Sequence, residues 1–220
     1  MMEWNLQLDD HSYKLEPIID LSDSTTLGHE LLCRANPWPT AEKEWASWYR
    51  RIVPTCNEIA RAGNTVFLNV DTRHVTDSQI FEALSDLSGH RVVLEWTEHP
   101  EGDHGMASAA LRMLHERCGI RIAIDDFGAG EDGVGRILRT RPDFVKLDKF
   151  ITKFAQGHEN HLGAVKAMIP MIVSSGAAII AEHIETEADL GTAREIGAHY
   201  GQGFYWGKGR LCNGGKSLQE

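Results

Sequence analysis

Eight short apolar runs divide this chain, and almost every gap between them is long enough for a helix. The runs are Leu15–Leu21, Leu27–Cys33, Thr65–Val70, Arg91–Trp96, Ile120–Asp125, Phe144–Leu147, Ala177–Ala181 and Ala198–Tyr205. Alternation such as Ile120, Ile122, Ile124 marks strands, not helices. The first two runs are joined by the short polar turn Ser22-Asp23-Ser24-Thr25-Thr26, which has no room for a helical crossover. They are predicted to pair antiparallel. The later connections are predicted to be parallel crossovers. The expected fold is therefore α/β, a modified (β/α)8 TIM-type barrel with one antiparallel strand.

Helix signals fit that frame. Thr76-Asp77-Ser78-Gln79 reads as a capping box before Ile80, Leu84 and Leu87 on one face. Thr186 to Asp189 reads as a second, with Gly197 as its stop. Trp45, Trp48, Tyr49 and Ile52 share helical spacing and are expected in the core. No linker or repeat divides the 220 residues, so one domain is expected over 1–220, with the polar, glycine-rich tail after Gly207 fraying.

A barrel brings the C-terminal ends of its parallel strands to one mouth. Asn69, Glu95, Asp125, Asp126, Lys146 and Glu182 occupy such ends, and Glu30 joins them if it points inward from the antiparallel pair. Five converging carboxylates are costly to bury without cations. One or two divalent metal ions are the simplest remedy, which makes metal-assisted chemistry the leading reading.

Composition narrows the partners. A formal net charge of −10 argues against a nucleic-acid groove, which needs a basic face. No stretch approaches the ~20 apolar residues of a membrane span. Met1-Met2-Glu3-Trp4-Asn5 lacks the basic and apolar regions of a signal peptide, so a cytoplasmic location is expected. Cys33, Cys56, Cys118 and Cys212 form no CxxC pair and read as free thiols. His158 and His161 read as a solvated helix end.

Gly128 to Gly133 matches GxGxxG after a strand, with Asp148 beyond it, as a dinucleotide fingerprint asks. Asp125, Asp126, Glu131 and Asp132 would repel a pyrophosphate there, and that reading leaves Glu30, Asn69 and Glu95 without a task. A sharply bent loop is the better account of these glycines.

The motifs, taken in order, resemble an EAL domain, the bacterial phosphodiesterase domain for cyclic di-GMP. Glu16-Pro17-Ile18-Ile19-Asp20 resembles QPIVD, and His29 to Arg34 sits where FEALLR belongs. Leu68 to Asp71 resembles VNLS, Leu94 to Glu98 LELTE, and Asp125 to Gly130 DDFGTG. Val145 to Asp148 resembles LKID, Ala181 to Thr186 AEGVET, and Tyr200 to Phe204 YGQGY/F. The resemblance runs from about Leu15 to Gly207.

It implies metal-dependent hydrolysis of cyclic di-GMP to the linear dinucleotide pGpG. By the same resemblance, Glu30, Asn69, Glu95 and Asp125 hold a first Mg²⁺ or Mn²⁺. Asp125 bridges to a second, which Asp126 and Glu182 help to hold. Lys146 positions or polarises the attacking water, and Gln202 supports the site. Arg34 grips a phosphate and Asp148 touches a guanine. Glu98 and Glu185 brace the loop after Asp126, which the family also uses for dimerisation. A homodimer and a regulatory protein partner are both consistent with it; a nucleic-acid polymer and a membrane are not.

The sequence departs from the family at several places, Ala129 for Thr in the DDFGTG-type motif among them. Leu31 replaces Ala, Glu16 replaces Gln, Cys33 replaces a Leu near the substrate, Glu131-Asp132-Gly133 replaces Tyr-Ser-Ser, and His183 replaces Gly. All main ligand positions are filled. The alternative readings are a catalytically weak cyclic di-GMP-binding effector and a protein-interaction module.

Overall fold

A computed structural model describes residues 12–34, 39, 41–97, 102–130, 132–213 and 216–218. One sheet closes on itself. Strand β1 (Ser12–Asp20) pairs antiparallel with β2 (Thr26–Arg34), with Glu16 opposite Glu30. From β2 the strands run parallel through β3 (Thr65–Asp71), β4 (Val92–Thr97), β5 (Arg121–Phe127), β6 (Phe144–Leu147), β7 (Ala178–Ala181) and β8 (Tyr200–Gln202). β8 then pairs antiparallel with β1, Gln202 opposite Ile18, and closes the barrel. The antiparallel start follows from its turn. Asp20 Oδ1 accepts from the Ser22 amide at 2.8 Å and Asp23 Oδ1 from the Thr25 amide at 2.8 Å, so side chains pre-form the reversal.

Among the described residues, eight α-helices fill the crossovers: α1 (Glu42–Arg61), α2 (Thr72–Thr76), α3 (Ser78–Leu84), α4 (His104–Cys118), α5 (Gly133–Thr140), α6 (Lys149–Gly157), α7 (Glu159–Ser174) and α8 (Glu187–Ile196). The second capping box forms as expected. Thr186 and Asp189 bond reciprocally, and left-handed Gly197 ends α8. At the other, the cap is Asp77, not Thr76. Its carboxylate accepts from the amides of both Gln79 and Ile80, two bonds that a single hydroxyl would make less well. Trp48, Tyr49 and Ile52 are buried in the core, with Trp45 packed against it.

Two further strands appear where the sequence predicted fraying. β9 (Arg210–Asn213) pairs with the first half of β1, and β10 (Lys216–Leu218) pairs with β9. β8 covers only Ile18–Asp20 of that edge of β1, so β9 pairs the backbone groups ahead of it.

Strand alternation sorts the side chains into three layers. Val66, Leu68, Val70, Ile122, Ile124 and Val145 face the helices and build the larger core. Phe67, Val93, Ala123, Phe144 and Ile180 face inward and plug the barrel. Two residues further along each of these strands, on the same face, stand Asn69, Glu95, Asp125, Lys146 and Glu182. An apolar floor therefore carries a polar mouth.

Candidate functional site

Lys146 is the hub of that mouth. It is 1% exposed, and its Nζ lies 2.8 Å from Glu182, 3.2 Å from Glu95, 3.3 Å from Glu30 and 3.5 Å from Asp125. Glu95 is fully buried. Glu30 is held from two more sides: Asn69 Nδ2 and Gln202 Nε2 each donate to it at 2.6 Å. β2, β3, β4, β5, β6, β7 and β8 thus each bring a residue to this cluster.

The charges set each other's protonation. Burial works to strip the proton from Lys146, but the four carboxylates outweigh it and hold its pKa well above the ordinary value. Burial works to raise Glu30, but Lys146 and the Gln202 and Asn69 donors prevail and lower it. Glu95 goes the other way, raised by burial and by the charge of Glu30. Glu182 is raised to about 8, again mainly by burial, with Asp125 and Glu30 adding to it. Asp126 is raised by burial and by Asp125 and Asp148. One ammonium does not neutralise this cluster.

Unused acceptors point the same way. Asp125 Oδ1, Glu182 Oε2 and Gln202 Oε1 are buried with no hydrogen-bond partner. Asp125, Asp126 and Glu182 each offer an oxygen within 4.8 Å of the others. Hard oxygen donors of this kind suit a divalent cation of the Mg²⁺ or Mn²⁺ type. Asp125 and Asp126 reach the point from adjacent positions because β5 shifts register against β6 between Ile124 and Phe127, and Asp126 adopts a left-handed φ of 52°.

A cleft of ≈ 230 Å³ opens beside the cluster, lined by Glu16, Glu30, Glu182, His183, Gln202 and Phe204 among others. Glu16 is buried in its wall and paired with Lys14 at 2.7 Å, and Lys14 Nζ stands 5.1 Å from the centre of the Phe204 ring.

These geometric features coincide with a sequence signature. The sequence model of the EAL domain matches residues 3–209. The chain belongs to the EAL domain family.

Among curated relatives, this EAL domain is 25% identical over 222 residues to the probable cyclic di-GMP phosphodiesterase PdeB of Escherichia coli (strain K12), covering 88% of the chain and 41% of PdeB. It is 33% identical over 117 residues to the EAL-domain containing protein YkuI of Bacillus subtilis (strain 168), covering 53% of the chain and 28% of YkuI. The chain thus spans less than half the length of these relatives. Among solved structures, Klebsiella pneumoniae BlrP1 in complex with calcium and cyclic di-GMP superposes with a TM-score of 0.80 at 19% identity, covering 99% of this chain and 59% of BlrP1. An EAL domain protein from Listeria monocytogenes EGD-e superposes with a TM-score of 0.77 at 18% identity, covering 90% of this chain and 87% of that one. Both share the fold of this EAL domain.

One expected site residue falls elsewhere. Cys33 was expected at the substrate. It alternates with Leu31 onto the helix side of β2, packs against the outer core, and burial pushes its thiol up to about 12. Leu31 points the same way, so its bulk does not narrow the mouth. Arg34 ends β2, but its side chain lies outside the described residues, as do Glu98 and Glu131. Asp148 is buried and caps α6, accepting from the Phe150 amide at 2.7 Å. Glu185 is exposed at the cleft, and its amide donates to Asp189 at 3.2 Å. His183 is exposed at the cleft with a left-handed φ of 54°. Gly128 in the GxGxxG loop has a φ of 105°, and a Cβ there would run into the Ile151 side chain, which accounts for that glycine as a bend.

Two polar partners escaped the sequence reading. Thr97 Oγ1 lies 3.2 Å from Asn69 Oδ1 and 3.3 Å from Asp125 Oδ2, linking two members of the cluster. It sits two residues after Glu95 on β4, so strand alternation alone could have found it. Tyr49 of α1 donates its hydroxyl to the Asn69 carbonyl at 3.2 Å; its aromatic stripe gave no hint of a polar task.

Proposed function

We propose that this EAL domain hydrolyses one phosphodiester bond of cyclic di-GMP, giving the linear dinucleotide pGpG, in a reaction that needs divalent cations. The observation that carries this reading is the ring of carboxylates around Lys146 with buried oxygens still unpaired. The likeness to PdeB, a probable cyclic di-GMP phosphodiesterase, and to BlrP1, with its calcium or manganese and cyclic di-GMP, supports the same chemistry.

Glu30, Asn69, Glu95 and Asp125 would hold one Mg²⁺ or Mn²⁺, and Asp125, Asp126 and Glu182 a second. When bound, such a pair would supply positive charge to the phosphodiester and acidify a water. Lys146 keeps its proton among the carboxylates and acts as a fixed positive charge toward the attacking water, not as a base. Gln202 and Asn69 lock the Glu30 carboxylate in one orientation, and Thr97 does so for Asp125. Arg34 would grip a phosphate and Asp148 a guanine edge. Glu16 lines the cleft that receives the ligand, and Glu98 and Glu185 would brace the loop after Asp126. Cys33 takes no part, because it faces the helices.

Incubation with cyclic di-GMP and Mg²⁺ or Mn²⁺, followed by chromatography, tests this directly. Expected is pGpG from the wild type and none from Glu30→Ala or Asp125→Asn. Tight binding without turnover in any divalent metal would make the domain an effector instead.

A further inference from the structure

Arg136 is a fully buried guanidinium on α5, behind the acid pair. It donates to two main-chain carbonyls on neighbouring strands: Nη1 to Trp96 at 3.1 Å and Nη2 to Asp125 at 3.0 Å. Its Cζ also lies 5.6 Å from the centre of the Trp96 ring. Burying an arginine completely is costly, so where its donors go is informative.

They go to the end of the β4–β5 ladder. The last registered pair is Trp96 with Ile124, and Asp125 is the next residue along β5. From there β5 also slips against β6, with Ile124 opposite Val145 but Phe127 opposite Leu147. Asp125 and Asp126 therefore sit in a bulge, with Asp126 in a left-handed conformation that a carboxylate side chain adopts at a cost. The Arg136 fork holds the Asp125 carbonyl, and with it the peptide plane joining the two acids, against the neighbouring strand. A planar fork suits two neighbouring carbonyls in a way that an ammonium does not.

We infer that Arg136 is a positioning residue, whose clamp on the Asp125 and Trp96 carbonyls sets the bulge from which Asp125 and Asp126 aim their carboxylates at a shared cation. The inference rests on the metal-dependent reading of the site. Nothing in the sequence pattern points to it, because a lone arginine within a short helix looks like solvated surface.

The test is titration of the metal-free full chain with Mn²⁺, followed by the electron paramagnetic resonance signal of free Mn²⁺, for wild type, Arg136→Met and Arg136→Lys. Circular dichroism reports whether each is folded at the working temperature. Partners that orient a ligand's carboxylate typically govern about 10–100-fold in metal affinity, and a loss of that size is expected in Arg136→Met. A smaller but clear loss is expected in Arg136→Lys. A purely structural role would lower the melting temperature while leaving the Mn²⁺ affinity of the folded protein unchanged, and that result in Arg136→Met overturns the inference. If Arg136→Met does not fold, wild-type Mn²⁺ affinity in folded Arg136→Lys overturns it. Turnover of cyclic di-GMP by the wild type is scored separately. A wild type that binds Mn²⁺ but makes no pGpG leaves Arg136 in its role and removes the phosphodiesterase reading, whereas a wild type that binds no Mn²⁺ overturns both.

Discussion

Lys146 Nζ lies 2.8 Å from Glu182 Oε1, and the same nitrogen is within 3.5 Å of Glu30, Glu95 and Asp125. A single ammonium thus serves four carboxylates from four strands. That ratio makes the metal-free domain dependent on Lys146 for folding.

Lys146→Met should therefore destabilise the protein strongly. Breaking a buried ion pair costs about 3–5 kcal/mol. For a domain of this size that corresponds to a drop of roughly 6–20 °C in melting temperature. Thermal melts in EDTA check it. Excess Mn²⁺ should raise the melting temperature of wild type and variant alike, because a cation that binds only the folded state stabilises it by mass action. An unchanged melt on adding metal would sink the metal-site assignment.

The barrel and most of its mouth are legible in the sequence for one physical reason. In strands of four to seven residues, a polar residue at an end stands two positions from an inward apolar one, as in Phe67 and Asn69, Val93 and Glu95, and Phe144 and Lys146. Period-2 alternation then fixes which face each occupies. The same rule places Cys33 away from Glu30, and resemblance by position along the chain alone overlooked that. Arg136 and Tyr49 are illegible for the opposite reason. They reach the site from helices and through main-chain carbonyls, which leave no mark in the pattern of side chains. The tail strands escape because β9 and β10 are four and three residues long and pair with an edge that only the closed barrel creates.

Asp189 predicts a pH dependence remote from the site. It is buried and accepts from Lys153 at 2.6 Å and Gln156 at 2.8 Å, and from the Thr186 hydroxyl and amide, tying α6 to α8. Burial opposes its charge, but these donors prevail and hold its carboxyl well below the ordinary value of 3.8. A depressed carboxyl contributes stability that is complete above its unfolded pKa and is lost as pH falls toward its folded one. Asp189→Asn should thus cost about 1–3 kcal/mol at pH 7. The gap between wild type and variant should close progressively below pH 3.8. Urea denaturation at a series of pH values measures it, and a gap that stays constant into acid would refute the assignment.

His183 stands at the cleft in the left-handed region, φ 54°, where a Cβ is strained. Its side chain is exposed and gives up little packing when removed. His183→Gly should stabilise the fold by about 1 kcal/mol, net of the greater freedom of glycine in the unfolded chain. The melting temperature should rise by roughly 2–4 °C. A fall would mean that the imidazole makes a contact worth more than the strain.

Glu16 gives a prediction about the ligand. Its carboxylate lines the cleft and is neutralised by Lys14 at 2.7 Å, which in turn stands over Phe204. Glu16→Gln keeps the shape and leaves the Lys14 charge uncompensated, so the cleft wall gains one positive charge. Near a protein surface, one added charge a few ångströms from an anionic ligand contributes on the order of 1 kcal/mol after solvent screening. The KM for cyclic di-GMP should fall about 3–10-fold, with kcat little changed, because the Glu16 carboxylate accepts from Lys14 and not from Lys146, the hub of the cluster. Raising the salt to about 0.5 M should remove only part of the gain, since Lys14 and Glu16 are largely buried and screened less than surface charges. Steady-state kinetics at two ionic strengths decide it. A rise in KM would instead mean that the Glu16 carboxylate accepts hydrogen bonds from the guanine edge, and that its charge serves recognition at this wall.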